Sequence, residues 1–381
     1  YNSQDQLFQT NLVNQGGPFA LAVAKINTSG GSSTSTVVDQ APSGAGDDRQ
    51  VMAADSNPSS PYRNNLYVIW SENGINGPIR VSRSTDNGAT WSNTQTIGSE
   101  RFAWQPSITV GPNGYVYAAY HAQPGQNTYT DSTGKTQAAV YEPDGTSGEV
   151  FVAVSKDGGQ TYTFPTDGGG SKIPVFGAGQ ADVTWNVQAY AANQAANRTI
   201  PGARFLTAGS SSPVVIAGPG GRVYSIVADD PSNGGTSGNL ADLRIATSTN
   251  YGSTWGPSQL LESGPGNSFQ LFPAAAVDKF GDIVVTWYDN RNGAKNSSGD
   301  YLLDVFAKYS TDGGATWSPA VQINAPNDPF DPRNGAPALT NGFPAPPNTY
   351  RIGEYISTAV YGGTAYVAWT GNSRDIYGNI T

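Results

Sequence analysis

Ser310-Thr311-Asp312-Gly313-Gly314-Ala315-Thr316-Trp317 is one of four near-copies of an octapeptide, and this repeat decides the fold. The others are Ser84-Thr85-Asp86-Asn87-Gly88-Ala89-Thr90-Trp91, Ser155-Lys156-Asp157-Gly158-Gly159-Gln160-Thr161-Tyr162 and Ser248-Thr249-Asn250-Tyr251-Gly252-Ser253-Thr254-Trp255. The pattern is turn chemistry. An Asp or Asn side chain accepts from backbone amides ahead of it, Gly supplies a positive φ, and the closing aromatic packs the hairpin onto its neighbour.

Working outward, each copy follows an apolar segment and then a second strand-like segment. The second segments read Asn65 to Trp70, Gly114 to Tyr120, Gly221 to Val227 and Gly281 to Trp287, with a fifth at Thr364 to Trp369. A unit of four short strands repeated around an axis is a β-propeller. Five units count directly and six blades are favoured, the last closed by an N-terminal strand at Phe19 to Ile26. Residues 1-381 read as a single propeller domain, with 163-212 either a degenerate blade or a long insertion.

Composition agrees. Of 381 residues 47 are Gly and 26 Pro, while only six are Glu and seven Lys, so surface-helix formers are scarce and turn formers abundant. The class expected is all-β. Cysteine is absent, which removes disulfides, thiol catalysis and cysteine-ligated metals. A net charge of −9 disfavours nucleic acid and anionic membranes as partners, and no apolar run is long enough for a membrane-spanning helix. Few lysines, no Cys and many Ser, Thr and Asn suit a secreted, extracellular product, and sequons stand at Asn27, Asn197, Asn296 and Asn379.

The octapeptide resembles the Asp box, or BNR repeat, of the sialidase superfamily, and the likeness runs from about Arg49 to Trp369. It implies a six-bladed propeller and a glycosidase acting on glycans. Arg49-Gln50-Val51-Met52-Ala53-Ala54 is similar to the segment in which sialidases place an arginine for the substrate carboxylate. Glu72 matches the register of their Glu, Tyr355-Ile356-Ser357 matches that of their nucleophilic Tyr, and the arginine triad maps onto Arg49, Arg291 and Arg351. Asn73 to Ile79, where that family carries an acid/base Asp, contains no carboxylate.

Propeller geometry filters the candidates independently. With the octapeptide turns at one face, the other is built from residues just before each first strand and just after each second strand, and ligand sites favour such a funnel. Those positions hold Asp47, Asp48, Arg49 and Glu72, then Trp104, Gln105 and His121, then Asp229, Phe269, Gln270, Asp289 and Arg291, and finally Arg351, Glu354 and Tyr355. Arg49, Arg291 and Arg351, with Asp48, Gln105 and His121, are the expected substrate-binding set. Tyr355 and Glu354 form a nucleophile and its base, with Glu72 and Asp289 as further catalytic carboxylates. The plainer alternative for Asp289 and Arg291 is a mutual ion pair, and for Glu72 a solvated turn. No cofactor is expected; the only metal considered is a structural Ca²⁺ at Asp229 and Asp230. The function expected is a secreted exo-acting hydrolase of an acidic or deoxy sugar at glycan chain ends, the alternative a non-catalytic glycan-binding or surface-assembly propeller.

Overall fold

The computed structural model describes residues 1–14, 19–40, 46–72, 78–123, 128–130, 136–138, 148–177, 212–229, 241–266, 268–331 and 356–371. The described residues are almost wholly strand and turn. An N-terminal sheet joins β1 (Leu7–Asn14), β2 (Phe19–Ile26) and β3 (Thr34–Asp39) in the order β1-β2-β3. The first blade holds β4 (Asp47–Ala54), β5 (Leu66–Glu72), β6 (Ile79–Ser84) and β7 (Gln95–Gly98). The second pairs β8 (Arg101–Val110), β9 (Val116–Gln123) and β12 (Glu149–Ser155), with the small hairpin β10 (Thr128–Thr130) and β11 (Thr136–Ala138) inserted before β12.

The third blade is β13 (Val214–Ala217), β14 (Val223–Asp229), β15 (Asp242–Ser248) and β16 (Gln259–Glu262). The fourth is β17 (Gln270–Val277), β18 (Ile283–Asp289), β19 (Asp304–Ser310) and β20 (Val321–Gln322). A hairpin of β21 (Ser357–Tyr361) and β22 (Thr364–Ala368) ends the described chain. Every pairing between these strands is antiparallel.

Side chains alternate faces along a strand, and in these blades both faces are covered. On β5, Tyr67 and Ile69 pack against the second blade, among Ala118, Tyr120 and Phe151. Leu66, Val68 and Trp70 of the same strand pack the opposite way, against Phe8, Leu21 and Val23 of the N-terminal sheet. β9 repeats the arrangement, with Tyr117 and Ala119 facing the third blade, and in β14 Tyr224, Ile226 and Ala228 face the fourth. Sheets stacked face to face in chain order, with the first strands β4, β8, β13, β17 and β21 each contacting the next, are the arrangement of a β-propeller. Each fully buried large apolar side chain contributes about 1.5–3 kcal/mol, so the inter-blade layers are where stability resides.

The chain ends differ from expectation. Phe19–Ile26 pairs with β1 and β3, its neighbours in sequence, and no sheet of the described residues joins it to the C-terminal hairpin. Short hairpin connections close at lower entropic cost than a ring spanning the chain, so β2 has local partners. Within 163-212, the described part Thr163 to Gly177 runs along β12, with Thr163 bridging Val154 and Phe176 bridging Val150. Among the described residues no helix is long and apolar enough to cross a membrane.

The octapeptides form the turns after the third strands. Ser84 Oγ donates to Asp86 (2.7 Å) and accepts from Gly88 N (2.8 Å), while Thr90 donates its amide (2.9 Å) and hydroxyl (2.6 Å) to the Asp86 carboxylate. The same bonds recur around Asp157 and Asp312. Bonds led by those from Thr90 and Thr316 hold the carboxyls of Asp86 and Asp312 down at about 2. Trp91, Tyr162, Trp255 and Trp317 each pack against an inter-blade core, as the closing aromatic predicts.

Candidate functional site

Three first strands share a backbone feature at the end opposite the octapeptide turns. Arg49 on β4, Gln105 on β8 and Phe272 on β17 have φ of 56°, 55° and 53°, in the left-handed region that side chains with a Cβ avoid. Each sits at a register shift in its strand, between Asp48 and Val51, Trp104 and Ser107, and Leu271 and Ala274. Such residues cost about 1–3 kcal/mol each and collect where function needs a side chain aimed against the strand's regular pleat. Here all three bulges open on one place.

That place is a pocket of about 150 Å³ on the axis. Arg49 and Val51 enter from the first blade, Gln105 to Ser107 from the second, and Ser212 and Pro213 just ahead of β13. Phe272 and Pro273 come from the fourth blade, and Ile356, just ahead of β21, from the C-terminal hairpin. At the far ends of the same strands Ala54, Val110, Ala217 and Val277 line a second pocket, of about 410 Å³, at the octapeptide end.

Arg49 is held on several sides. Its guanidinium carbon stands 4.9 Å from the centre of the Trp104 ring, a cation–π contact, and its amide donates to Asp48 Oδ1 at 2.8 Å. The side chain is buried, so its charge acts in a medium of lower dielectric than water, and a bidentate guanidinium suits a carboxylate or another planar anion. Gln105 is buried beside it. His121 is fully buried one strand behind, directly opposite Trp104 in the β8–β9 register.

The structure therefore brings Arg49 and Gln105 together at the pocket, with Asp48 fixing the bulge. Glu72 and Asp289 are engaged elsewhere. Glu72 accepts from Arg80 Nε (2.9 Å) and Nη2 (2.6 Å). Asp289 is fully buried and accepts from Trp287 Nε1 (2.9 Å), from Arg291 N (2.7 Å), and from Arg291 Nε (2.8 Å) and Nη2 (2.6 Å).

Arg291 also reaches Glu262 at 2.9 Å and lies 4.5 Å from the Phe306 ring centre. Burial alone would lower its pKa, but the bonds it donates to Asp289 and Glu262 outweigh that and raise it. Lys308 closes the cluster on Glu262 at 2.7 Å. Asp229 pairs with Arg244 at 3.5 Å. Arg351, Glu354, Tyr355 and Asp230 lie outside the described residues.

Phe272 and the proline wall were not among the expected site residues. Their signal is present in the sequence: Gln105-Pro106 and Phe272-Pro273 put a proline inside two first strands, and Ser212-Pro213 puts one immediately before a third. A proline inside a strand marks a bulge or a missing ladder bond.

No protein-family profile and no curated protein matches the chain. Among solved structures it is similar to an α-L-arabinanase of Penicillium chrysogenum in complex with arabinobiose, at 14% identity over 72% of this chain and 67% of that one, with a TM-score of 0.45. It is similar to a Hadza microbial sialidase at 13% identity, over 84% of this chain and 57% of that one, TM-score 0.45. It is also similar to a sialidase of Streptococcus pneumoniae at 8% identity, over 85% of this chain and 60% of that one, TM-score 0.46.

Proposed function

We propose that the chain is a secreted carbohydrate-active enzyme, an exo-acting glycoside hydrolase that takes an acidic or deoxy sugar from a glycan chain end, with the axial pocket receiving the sugar. The observation that carries this reading is the buried Arg49 guanidinium, aimed into the pocket from a left-handed bulge and stacked on Trp104. A buried guanidinium at a pocket wall suits an anion, and Gln105 beside it suits sugar hydroxyls. Phe272, Pro106, Pro213 and Pro273 offer apolar faces to the C–H side of a pyranose.

In this proposal Tyr355 is the nucleophile and Glu354 the base that takes its proton, because a neutral phenol approaches an anionic sugar without the repulsion a carboxylate would meet. Both positions lie outside the described residues, and the assignment rests on sequence: Tyr355 directly precedes Ile356, which lines the pocket. One observation favours a second reading, a glycan-binding propeller without chemistry. Among the described residues lining the pocket there is no carboxylic acid.

A screen of glycans and chromogenic glycosides with the full chain, repeated with Arg49→Ala, separates the two. The enzyme reading expects release of an acidic or deoxy sugar that the variant loses. Glycan binding that depends on Arg49 without turnover of any glycoside would establish the second reading instead.

A further inference from the structure

Away from the axis, at the seam between the N-terminal sheet and the first blade, three carboxylates meet. Asp47 opens β4, directly opposite Glu72 in the β4–β5 register, and Asp39 closes β3 opposite Leu21. Asp47 is 2% exposed, and neither of its oxygens has a hydrogen bond of normal geometry. The Leu21 amide and the Trp70 indole lie close enough to favour the charged form slightly.

The other groups facing Asp47 are accounted for. Asp39 accepts from Thr94 Oγ1 at 3.0 Å, and its second oxygen is buried without a partner. Arg80 of β6 is committed to Glu72 and, by a further short bond, to Thr96. Asp48, next along β4, is turned to the Arg49 amide. On β2 the residue opposite Asp39 is the apolar Leu21. The seam thus holds three acids and one cation already paired.

We propose that docking of the N-terminal sheet on the first blade is proton-linked: Asp47 carries a proton when β1–β3 are docked, and its ionisation loosens them from β4. Burial first, then the charges of Asp39 and Glu72, push its carboxyl up to about 7, against 3.8 for an ordinary Asp. Burial raises Asp39 as well. The docked state therefore binds a proton that the opened state releases. The stabilisation is full below pH 4, declines from there, and is lost as pH rises through about 7. The link does not depend on what the axial pocket does. It reaches that pocket all the same, because the strand that begins at Asp47 carries Arg49 two residues later.

Hydrogen exchange of the full chain tests this, with rates corrected for the intrinsic pH dependence. Protection of β1 to β3 should fall by at least about tenfold between pH 5.5 and 8, as linkage between carboxyl values near 7 and 4 requires, while β12 to β19 hold theirs. Asp47→Asn, uncharged at every pH, should keep the N-terminal sheet protected at pH 8 and flatten its response. If that variant fails to fold, the carboxyl carbon signal of Asp47 in the unmodified protein still decides, and should titrate above pH 6. Titration below pH 5, exchange of β1 to β3 that stays constant with pH, or an Asp47→Asn protein with an undiminished pH response would each overturn the proposal.

Discussion

The two ends of the propeller axis are built on opposite principles. At the octapeptide end the Ser, the Asp or Asn and the Thr side chain of each copy bond one another and the turn amides. The glycine at the fifth position, Gly88, Gly159, Gly252 or Gly314, takes a positive φ at little cost, although Asn87 and Tyr251 before two of them take one as well. At the other end Arg49, Gln105 and Phe272 adopt the same backbone region at a cost, and a charged side chain is buried between aromatic and apolar walls. One end is optimised for folding and repeats because folding makes the same demand of each blade. The other differs from blade to blade, which is what a binding site requires and a scaffold does not.

The largest effect that would sharpen this contrast is at Arg49. Arg49→Ala should lower binding or turnover of an acidic glycoside by at least about a hundredfold, the loss of a charge-assisted bidentate contact in a buried site. Its melting temperature should fall only by what the stacking on Trp104 contributes, because alanine keeps a Cβ and with it the strain of the bulge. Tyr355→Phe should abolish hydrolysis while leaving binding in place. If Tyr355→Phe turns over normally, the nucleophile lies elsewhere and the enzyme reading loses its chemistry.

Asp289 tests whether the pocket end also contains scaffold. Asp289→Ala leaves Arg291 buried with only Glu262 to share with Lys308, so stability should fall by about 3–5 kcal/mol in denaturant unfolding, the usual cost of breaking a buried pair. Turnover per folded molecule should persist. A folded Asp289→Ala protein without activity would place that carboxylate back among the catalytic groups.

These residues also show how far the sequence could be read. The four octapeptides, with an apolar segment before each, are legible because turn chemistry and strand alternation are local, and the structure has the turns and paired strands there. Arg49 and Gln105 were legible from position along the first strands. Phe272 was not, because a bulge shifts the face of the strand by one residue, and the reading stopped at Phe269 and Gln270. The pairing of Asp289 with Arg291 was open to the sequence as the plainer alternative, but the partners Arg80 for Glu72 and Glu262 for Arg291 were hidden, because they come from other strands and pairing across strands depends on register. The partners of β2 were misplaced because a propeller's closure depends on contacts that sequence periodicity does not encode.

At the octapeptide end the effects should be structural only. Gly314 has φ of 86°, and a Cβ there would meet the Tyr224 ring at 3.3 Å, so Gly314→Val should destabilise by about 1–3 kcal/mol through backbone strain alone. Asp312→Ala removes an exposed set of turn bonds and should lower the melting temperature less than Gly314→Val does. Both should leave ligand affinity at the axial pocket unchanged. A large loss of affinity with stability intact would mean that the ends of the propeller have been assigned the wrong way round.

The smallest effect concerns the one copy that departs from the repeat. Asn250 stands where the other three carry Asp, and its Nδ2 donates to Thr254 Oγ1 at 2.8 Å, reversing the direction of the Thr-to-Asp hydroxyl bond. Its Oδ1 still accepts from Ser248 Oγ and Thr254 N, so Asn250→Asp keeps those two bonds and flips only the third. Stability at pH 7 should hardly move.

The acid limb should respond. A carboxylate in this turn is held below its ordinary value by the bonds it accepts, as Asp86 and Asp312 are, at about 2 against 3.8. Such a group adds stability above the unfolded carboxylate value and loses it as pH falls through the folded one, between about 4 and 2. The variant should therefore lose stability more steeply than the parent below pH 4, measured as the urea midpoint at each pH. An unchanged acid limb would show that the third turn does not hold a carboxylate as the other three do, and that the repeat is less uniform than its hydrogen bonds suggest.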